Sequence, residues 1–139
     1  GFWGRRMAHE AAIHRVDAEL AHGDVTPIDG ELALDGVDEI LRRFLAGDWS
    51  DEEVTDPSET VVQLQSGGTT WRVVMEPKAV VANVYLDRWP VLPTDATISG
   101  DPLPMYLWLW GRGPRNPLQI DGDADAADRL RDRMVVATQ

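Results

Sequence analysis

Cysteine is absent from the 139 residues of this chain. Disulfides, thiolate metal ligands and cysteine nucleophiles are therefore excluded. Lysine occurs once, and 13 basic residues stand against 24 acidic ones, which gives a formal net charge of −11. Because nucleic-acid binding requires clustered lysine and arginine, this composition argues against a nucleic-acid partner.

Long apolar runs are also missing. No stretch approaches the roughly 20 apolar residues that span a bilayer, so we expect no membrane partner. Residues 1–10 lack the apolar centre of a secretion signal, and a chain without cysteine fits a cytoplasmic location. Hydrophobic residues make up 43% and charged residues 27%, which is typical of one folded domain with its own core.

What is present is a change of hydrophobic period along the chain. A period near 3.6 and suitable caps predict helices over residues 2–22, 31–47, 102–112 and 124–136. A period of two predicts strands over residues 60–65, 69–77, 79–88, 95–100 and 118–122. Asp29 and Asp123 are the expected N-caps. The fold class predicted is α+β, with an antiparallel sheet of about four to five strands packed with helices.

The first helix carries three polar residues that bear on chemistry. Within HEAAIHRVDAEL (residues 9–20), Glu10, His14 and Asp17 fall between two apolar groups on a helical wheel. We therefore expect these three side chains to face the core or a pocket. The apolar groups are Ile13, Val16 and Leu20 on one side and Trp3 and Met7 on the other.

Two interpretations of these polar residues remain open. Glu10 and His14 lie one helical turn apart, so both could bind one ion such as Zn²⁺, with Asp17 orienting the imidazole or acting as an acid or base. Alternatively, the three residues form a buried polar cluster or a salt bridge between helices. The E-x-x-x-H spacing is a weak pattern. A third metal ligand is missing from the helix, because His9 and His22 are predicted to lie off this face.

The aromatic stretch YLWLWG (residues 106–111) also allows two interpretations. It could line a pocket for an apolar ligand, but a helix that is apolar on all sides is more often simply buried in the core. Arg112 follows it, where a cation is stabilised by the carboxyl end of the helix dipole.

Several strings taken together resemble the mycothiol-dependent maleylpyruvate isomerase family. They are RMAHEAAIHRVDAE (6–19), TPIDGELALDGVDEILRRFL (26–45), YLWLWGR (106–112) and IDGDADAADRLR (120–131). The resemblance implies a DinB-like, zinc-binding helical bundle followed by a sterol-carrier-like α+β domain. Residues 1–23 would be the last helix of a truncated bundle, and residues 24–139 the carboxyl-terminal domain.

The same resemblance implies a set of site residues. Glu10 and His14 match metal ligands, Asp17 matches an active-site acidic residue, and Arg112 matches an active-site arginine from the carboxyl-terminal domain. The implied parent uses zinc and mycothiol and is an isomerase or a thiol S-transferase with a small-molecule substrate. Since the other bundle helices and the third ligand are missing here, we expect this chain alone to be inactive and to hold zinc weakly or not at all.

Two non-catalytic alternatives stand beside this hypothesis. The α+β part could be a binding or assembly domain for a small apolar ligand or partner, with a groove near Trp108 and Trp110. It could also be a structural domain that closes one side of the bundle's active site. In either case we expect the first helix to expose an apolar side, which favours a homodimer through that helix or packing against the chain's own sheet.

Overall fold

The structure, a computed structural model, describes residues 2–21, 29–54 and 59–138. Its α-helices are α1 (Phe2–Ala21), α2 (Gly30–Glu39), α3 (Pro102–Leu109) and α4 (Ala124–Ala137). A π-helical segment, Ile40–Leu45, continues α2. The strands are β1 (Gly47–Asp48), β2 (Thr60–Ser66), β3 (Thr69–Glu76), β4 (Ala79–Val84), β5 (Ala96–Ser99) and β6 (Gln119–Gly122).

Aspartate caps begin two of the helices, as predicted. The Asp29 side chain accepts a hydrogen bond of 2.8 Å from the backbone N–H of Glu31, and Asp123 accepts one of 2.9 Å from Asp125. Each cap satisfies a backbone donor that the first helical turn leaves without a partner. The starts of α2 and α4 are therefore encoded locally.

Glycines close the central hairpin between β2 and β3. Gly67 and Gly68 have φ values of +55° and +81°, and a two-residue turn with both φ values positive matches the right-handed twist of the flanking strands. Strands β2, β3 and β4 form the predicted antiparallel meander.

Over the described residues the sheet has six strands, in the order β1-β4-β3-β2-β5-β6. The α+β class is confirmed, while the sheet differs in detail from the predicted antiparallel one of four to five strands. The two-residue β1 adds an edge, and β5 pairs with β2 in parallel. The parallel pair arises because residues 85–95 carry the chain from the end of β4 to the far side of β2.

The core lies between one face of the sheet and the helices. Trp71, Val73 and Met75 of β3 point into it, as predicted. Helix α4 packs on β2 and β5, and α2 packs on α3. The apolar stripe of α4, predicted as Ala127, Leu130 and Met134, is fully buried. None of the described helices combines the length and apolarity that a bilayer-spanning segment requires.

Candidate active site

An ion pair joins the first helix to the end of α3. The Arg112 guanidinium donates from Nε to Oδ1 of Asp17 at 2.8 Å and from Nη2 to Oδ2 at 2.9 Å. Its Nη1 donates to the backbone carbonyl of Trp110 at 2.6 Å. Two parallel N–H···O bonds fix the plane of the guanidinium as well as its distance from the carboxylate. Residues 95 positions apart are thus brought into one rigid contact.

Local backbone geometry explains why Arg112 stands at this place. Gly111 has a φ of +75°, its N–H bonds the carbonyl of Trp108, and the N–H of Arg112 bonds the carbonyl of Leu107. This pair of bonds is the Schellman motif, in which a glycine in the left-handed region ends a helix and turns the next residue back. The position of Arg112 therefore follows from the way α3 ends.

The contact changes the electrostatics of both partners. Hydrogen bonds from Arg112 hold the pKa of the Asp17 carboxyl below its ordinary value, and the nearby His14 acts in the same direction. The same hydrogen bonds raise the pKa of the Arg112 guanidinium. At neutral pH the pair is therefore fully ionised, and Asp17 is poorly suited to donate a proton.

The predicted metal ligands are placed differently from our expectation. Glu10 and His14 lie on the exposed side of α1, and the Asp17 side chain is 42% exposed. The prediction that these three residues face inward was wrong. The side chains of α1 that face the core are instead Ala12, Ile13 and Val16. Met7, which was predicted to belong to an inner apolar arc, is 67% exposed. Trp3 and Leu20 have side chains outside the described part of the structure.

Whether Glu10 and His14 bind a metal is a separate question from their orientation. A carboxylate and an imidazole are donor types that Zn²⁺ accepts, and their exposure leaves space for ligands from another segment. Over the described ranges, no three or more His, Cys, Asp or Glu side chains are grouped to hold an ion. These two residues thus fit a zinc site in kind but supply only part of its ligands.

His9 was missed by the sequence analysis. It is fully buried, and its Nε2 lies 2.8 Å from Oδ2 of Asp35 on α2. The signal was present, because His9 is four residues before Ile13 and seven before Val16, which places all three on one helical face. The prediction that His9 lies apart from the inward face was therefore wrong.

Tyr106 is a second buried polar residue close to His9. We call the region where α1 meets α2 and α3, around His9, Gly36 and Tyr106, the seam. Its ring packs against Gly36 so closely that a Cβ at Gly36 would overlap ring carbon Cε2. Burial, with a contribution from the nearby Glu39, raises the pKa of the Tyr106 hydroxyl to about 12. The hydroxyl is therefore neutral, and a hydrogen-bond donor, over the whole physiological range.

The aromatic stretch is part of the core, which confirms the simpler of the two interpretations. Tyr106 and Leu109 are fully buried and Trp108 is 4% exposed. Trp110 packs edge-on against Phe44 and Tyr106. Trp108 and Trp110 thus pack with the chain's own side chains.

Comparison with known families identifies the domain. The model of the family described as "MDMPI C-terminal domain" matches residues 31–129, which include α2 from its second residue onward, α3, the whole sheet and Arg112. The chain belongs to the MDMPI C-terminal domain family. This confirms the resemblance seen in the sequence for the part that follows α1, whereas a DinB-like origin of α1 stays a prediction.

Solved structures give looser likenesses to this MDMPI C-terminal domain. A protein described as a UbiJ-SCP2 ubiquinone synthesis protein is 13% identical with a TM-score of 0.48, covering 81% of this chain and 96% of its own. Apo sterol carrier protein 2 from Yarrowia lipolytica is 13% identical with a TM-score of 0.40, covering 74% and 97%. Sterol carrier protein 2 like 2 from Aedes aegypti is 15% identical with a TM-score of 0.32, covering 91% and 96%. No curated protein matches the sequence.

A separate cleft of about 110 Å³ lies between α4 and the segment after β1. Its lining includes Trp49, Glu52, Arg129 and Arg133, and the Arg133 guanidinium lies 4.8 Å from the centre of the Trp49 ring. The cleft shares no residue with the Asp17–Arg112 contact. It gives no support to an apolar ligand, because charged side chains form much of its wall.

Proposed function

We propose that this chain contributes Arg112, oriented by Asp17, to the active site of a mycothiol-using isomerase or thiol S-transferase. The observation that carries the proposal is the two-bond contact between Asp17 and Arg112. Both residues match functional positions of the family by sequence resemblance, yet they come from different elements, and the fold brings them together. Family membership over residues 31–129 supports the same assignment.

The role of Arg112 follows from a count of its donors. A guanidinium has five N–H groups, and three of them serve Asp17 and the Trp110 carbonyl. We assign the remaining two, one on each terminal nitrogen, to a substrate carboxylate as a second fork. The Arg112 side chain is 30% exposed, so an incoming substrate carboxylate can reach this fork while Asp17 keeps its place.

The role of Asp17 is to hold that fork in one orientation. A carboxylate whose pKa is lowered by two hydrogen bonds is a weak proton acceptor, so positioning Arg112 suits Asp17 better than the proton transfer expected from sequence. Orientation of a charged group before substrate arrives removes part of the entropy cost of binding.

The metal side of the proposal rests on Glu10 and His14. These residues would be two of the protein ligands of a zinc ion, with a further ligand from outside the described residues. When bound, such an ion holds a thiol such as mycothiol as its thiolate, which is the reactive form. For a substrate such as maleylpyruvate, Arg112 would bind a carboxylate and keep the molecule in register beside that thiolate.

The proposal is tested with the longest polypeptide that the gene encodes, assayed for isomerisation of maleylpyruvate with zinc and mycothiol. Arg112→Lys keeps the charge but loses the fork, and we expect kcat/KM to fall by about 10- to 100-fold, as for loss of a hydrogen bond to a charged group. Arg115→Lys is the matched control, because Arg115 makes only an exposed ion pair with Asp128. Full activity in Arg112→Lys would contradict the proposal, as would an assay in which zinc and mycothiol have no effect.

A further inference from the structure

A carboxylate and an imidazole form a second link beneath α1. His9 Nε2 lies 2.8 Å from Oδ2 of Asp35; the imidazole is fully buried and the Asp35 side chain is 48% exposed. Because an ionised carboxylate only accepts hydrogen bonds, Nε2 carries a proton, and in the Nε2–H tautomer Nδ1 is an acceptor. Nδ1 is buried and has no hydrogen-bond partner among the described residues.

A buried hydrogen-bond donor, the hydroxyl of Tyr106, belongs to a ring that packs beside His9. The Tyr106 hydroxyl is likewise buried and makes no hydrogen bond within the part of the chain that the structure describes. The two ring centroids are 6.2 Å apart. Nδ1 of His9 lies 3.1 Å from the point where a Cβ of Gly36 would stand, and the Tyr106 ring edge occupies that point. A buried acceptor and the ring that carries a buried donor thus meet over one glycine, and leaving both polar atoms unsatisfied is costly.

We propose that the Tyr106 hydroxyl donates to Nδ1 of His9, directly or through one enclosed water molecule, so that Asp35, His9 and Tyr106 form one chain of hydrogen bonds. An enclosed water is stable where it meets two or more polar partners, which these atoms provide. Glu39 is the rival acceptor, since it is buried on α2 near Tyr106. We favour His9 because its Nδ1 lies beside the edge of the Tyr106 ring at Gly36.

This chain of hydrogen bonds makes His9 and Tyr106 positioning residues for the Asp17–Arg112 contact. His9 and Asp17 are eight residues apart on α1, or about 12 Å along the helix axis. Tyr106 lies within α3 and Arg112 just beyond its end. Two links therefore hold α1 across α3 at separated points, and the first link sets the register in which Asp17 meets Arg112. The inference goes beyond the proposed function, and it is tested in the full chain without substrate.

The test is a double-mutant cycle on the urea unfolding midpoint. Tyr106→Phe removes the hydroxyl. His9→Gln keeps an amide near the position of Nε2 but leaves no acceptor at Nδ1, whereas His9→Asn does the reverse. We expect Tyr106→Phe and His9→Gln each to lower the urea unfolding midpoint. The midpoint of the double variant should be no lower than that of the less stable single variant. His9→Asn should remain sensitive to Tyr106→Phe.

A spectroscopic measurement on the unaltered protein stands beside the cycle. In ¹⁵N–¹H spectra of the histidine rings, His9 should appear as the Nε2–H tautomer with a hydrogen-bonded Nδ1. Tyr106→Phe should shift the Nδ1 signal and speed the solvent exchange of the Arg112 Nε–H. Tyr85→Phe is the control, since the Tyr85 hydroxyl bonds the Pro90 carbonyl in another part of the molecule, and it should change neither signal.

Three results would overturn the inference. One is strict additivity of Tyr106→Phe and His9→Gln. Another is an Nδ1–H tautomer of His9 in the unaltered protein. The last is coupling of Tyr106→Phe to Glu39→Gln with none to His9→Gln, which would assign the hydroxyl to Glu39.

Discussion

Helices α4 and α1 both cover part of the core, but they are held by different forces. Helix α4 buries Ala126, Ala127, Leu130 and Met134 completely against the sheet. Among its described side chains, helix α1 buries Ala12, Ile13 and Val16 and places polar links beside them at His9 and Asp17. Over the described side chains, α4 is therefore held by burial of apolar area, whereas α1 adds directional hydrogen bonds and charge.

This difference has a consequence for stability and for function. Apolar packing tolerates small shifts in register, but a two-bond ion pair fixes a residue to within a few tenths of an ångström. An element that must deliver Asp17 to Arg112 therefore gains from polar links, while α4 needs only to cover the sheet. The predictions below test this contrast, beginning with the largest expected effect.

Leu130→Ala in α4 should lower the free energy of unfolding by about 3 kcal/mol, because it opens a cavity in a fully buried site. Ile13→Ala in α1 should cost less, since its effect cannot exceed the free energy that docks α1 on the rest of the chain. Urea unfolding followed by tryptophan fluorescence measures both. If both variants lose the same free energy of unfolding, the two helices are not held by different forces.

Gly36→Ala should destabilise the chain by about 2 kcal/mol, since the new methyl group would overlap the Tyr106 ring and force α1, α2 and α3 apart. Gly30→Ala, in the same helix, is the matched control, because a Cβ there meets no atom within 4 Å. Thermal unfolding compares the two. A Gly36→Ala variant as stable as the parent would mean that the seam is loosely packed.

Raising the pH should lower the stability of the folded chain, because the buried hydroxyl of Tyr106 at the seam would have to ionise. Its pKa is raised from 10.0 to about 12 in the folded chain, so the unfolded chain loses this proton first. Stability is unaffected by this group below pH 10 and falls as the pH rises to 12, by up to about 2 kcal/mol. Unfolding midpoints at pH 9, 10 and 11 measure the loss, and Tyr106→Phe should remove its tyrosine component.

Asp17→Asn should cost about 1 kcal/mol, the upper range for a half-exposed ion pair with good two-bond geometry. Because the pKa of Asp17 is lowered on folding, its contribution is present above the unfolded pKa and is lost as the pH falls through the folded one. Asp128→Asn, which breaks a more exposed pair with Arg115, should have almost no effect. If the two variants behave alike in chemical unfolding below and above pH 4, the Asp17 contact is an ordinary surface pair.

The same contrast explains how far the sequence could predict the structure. Capped and amphipathic elements such as α2 and α4 were predicted almost to the residue, because Asp29, Asp123 and a clear apolar stripe act locally. Most strands were also predicted, since Gly67 and Gly68 mark the turn and the period of two marks the faces. The parallel pairing of β2 with β5 was not predicted, because it depends on contacts between distant segments.

The site was predicted in identity more than in geometry. Arg112 and Asp17 were singled out by resemblance, and only the fold shows that they touch. The predicted orientation of α1 was wrong. The apolar residues of α1 do not form one stripe, so the helical wheel gave no clear inward face. His9 lay on the correct face, but it was placed off the predicted inward face because that face was drawn through Glu10, His14 and Asp17.

Synthesis from the amino terminus gives the sheet a fixed order of assembly. Strands β2, β3 and β4 are neighbours both in sequence and in the sheet, so they can pair as soon as they emerge from the ribosome. Strand β5 must reach back across residues 85–95 to the open edge of β2, and β6 and α4 follow only then. Until that moment the edge of β2 is open to pairing with other chains, which exposes the nascent protein to aggregation at this edge.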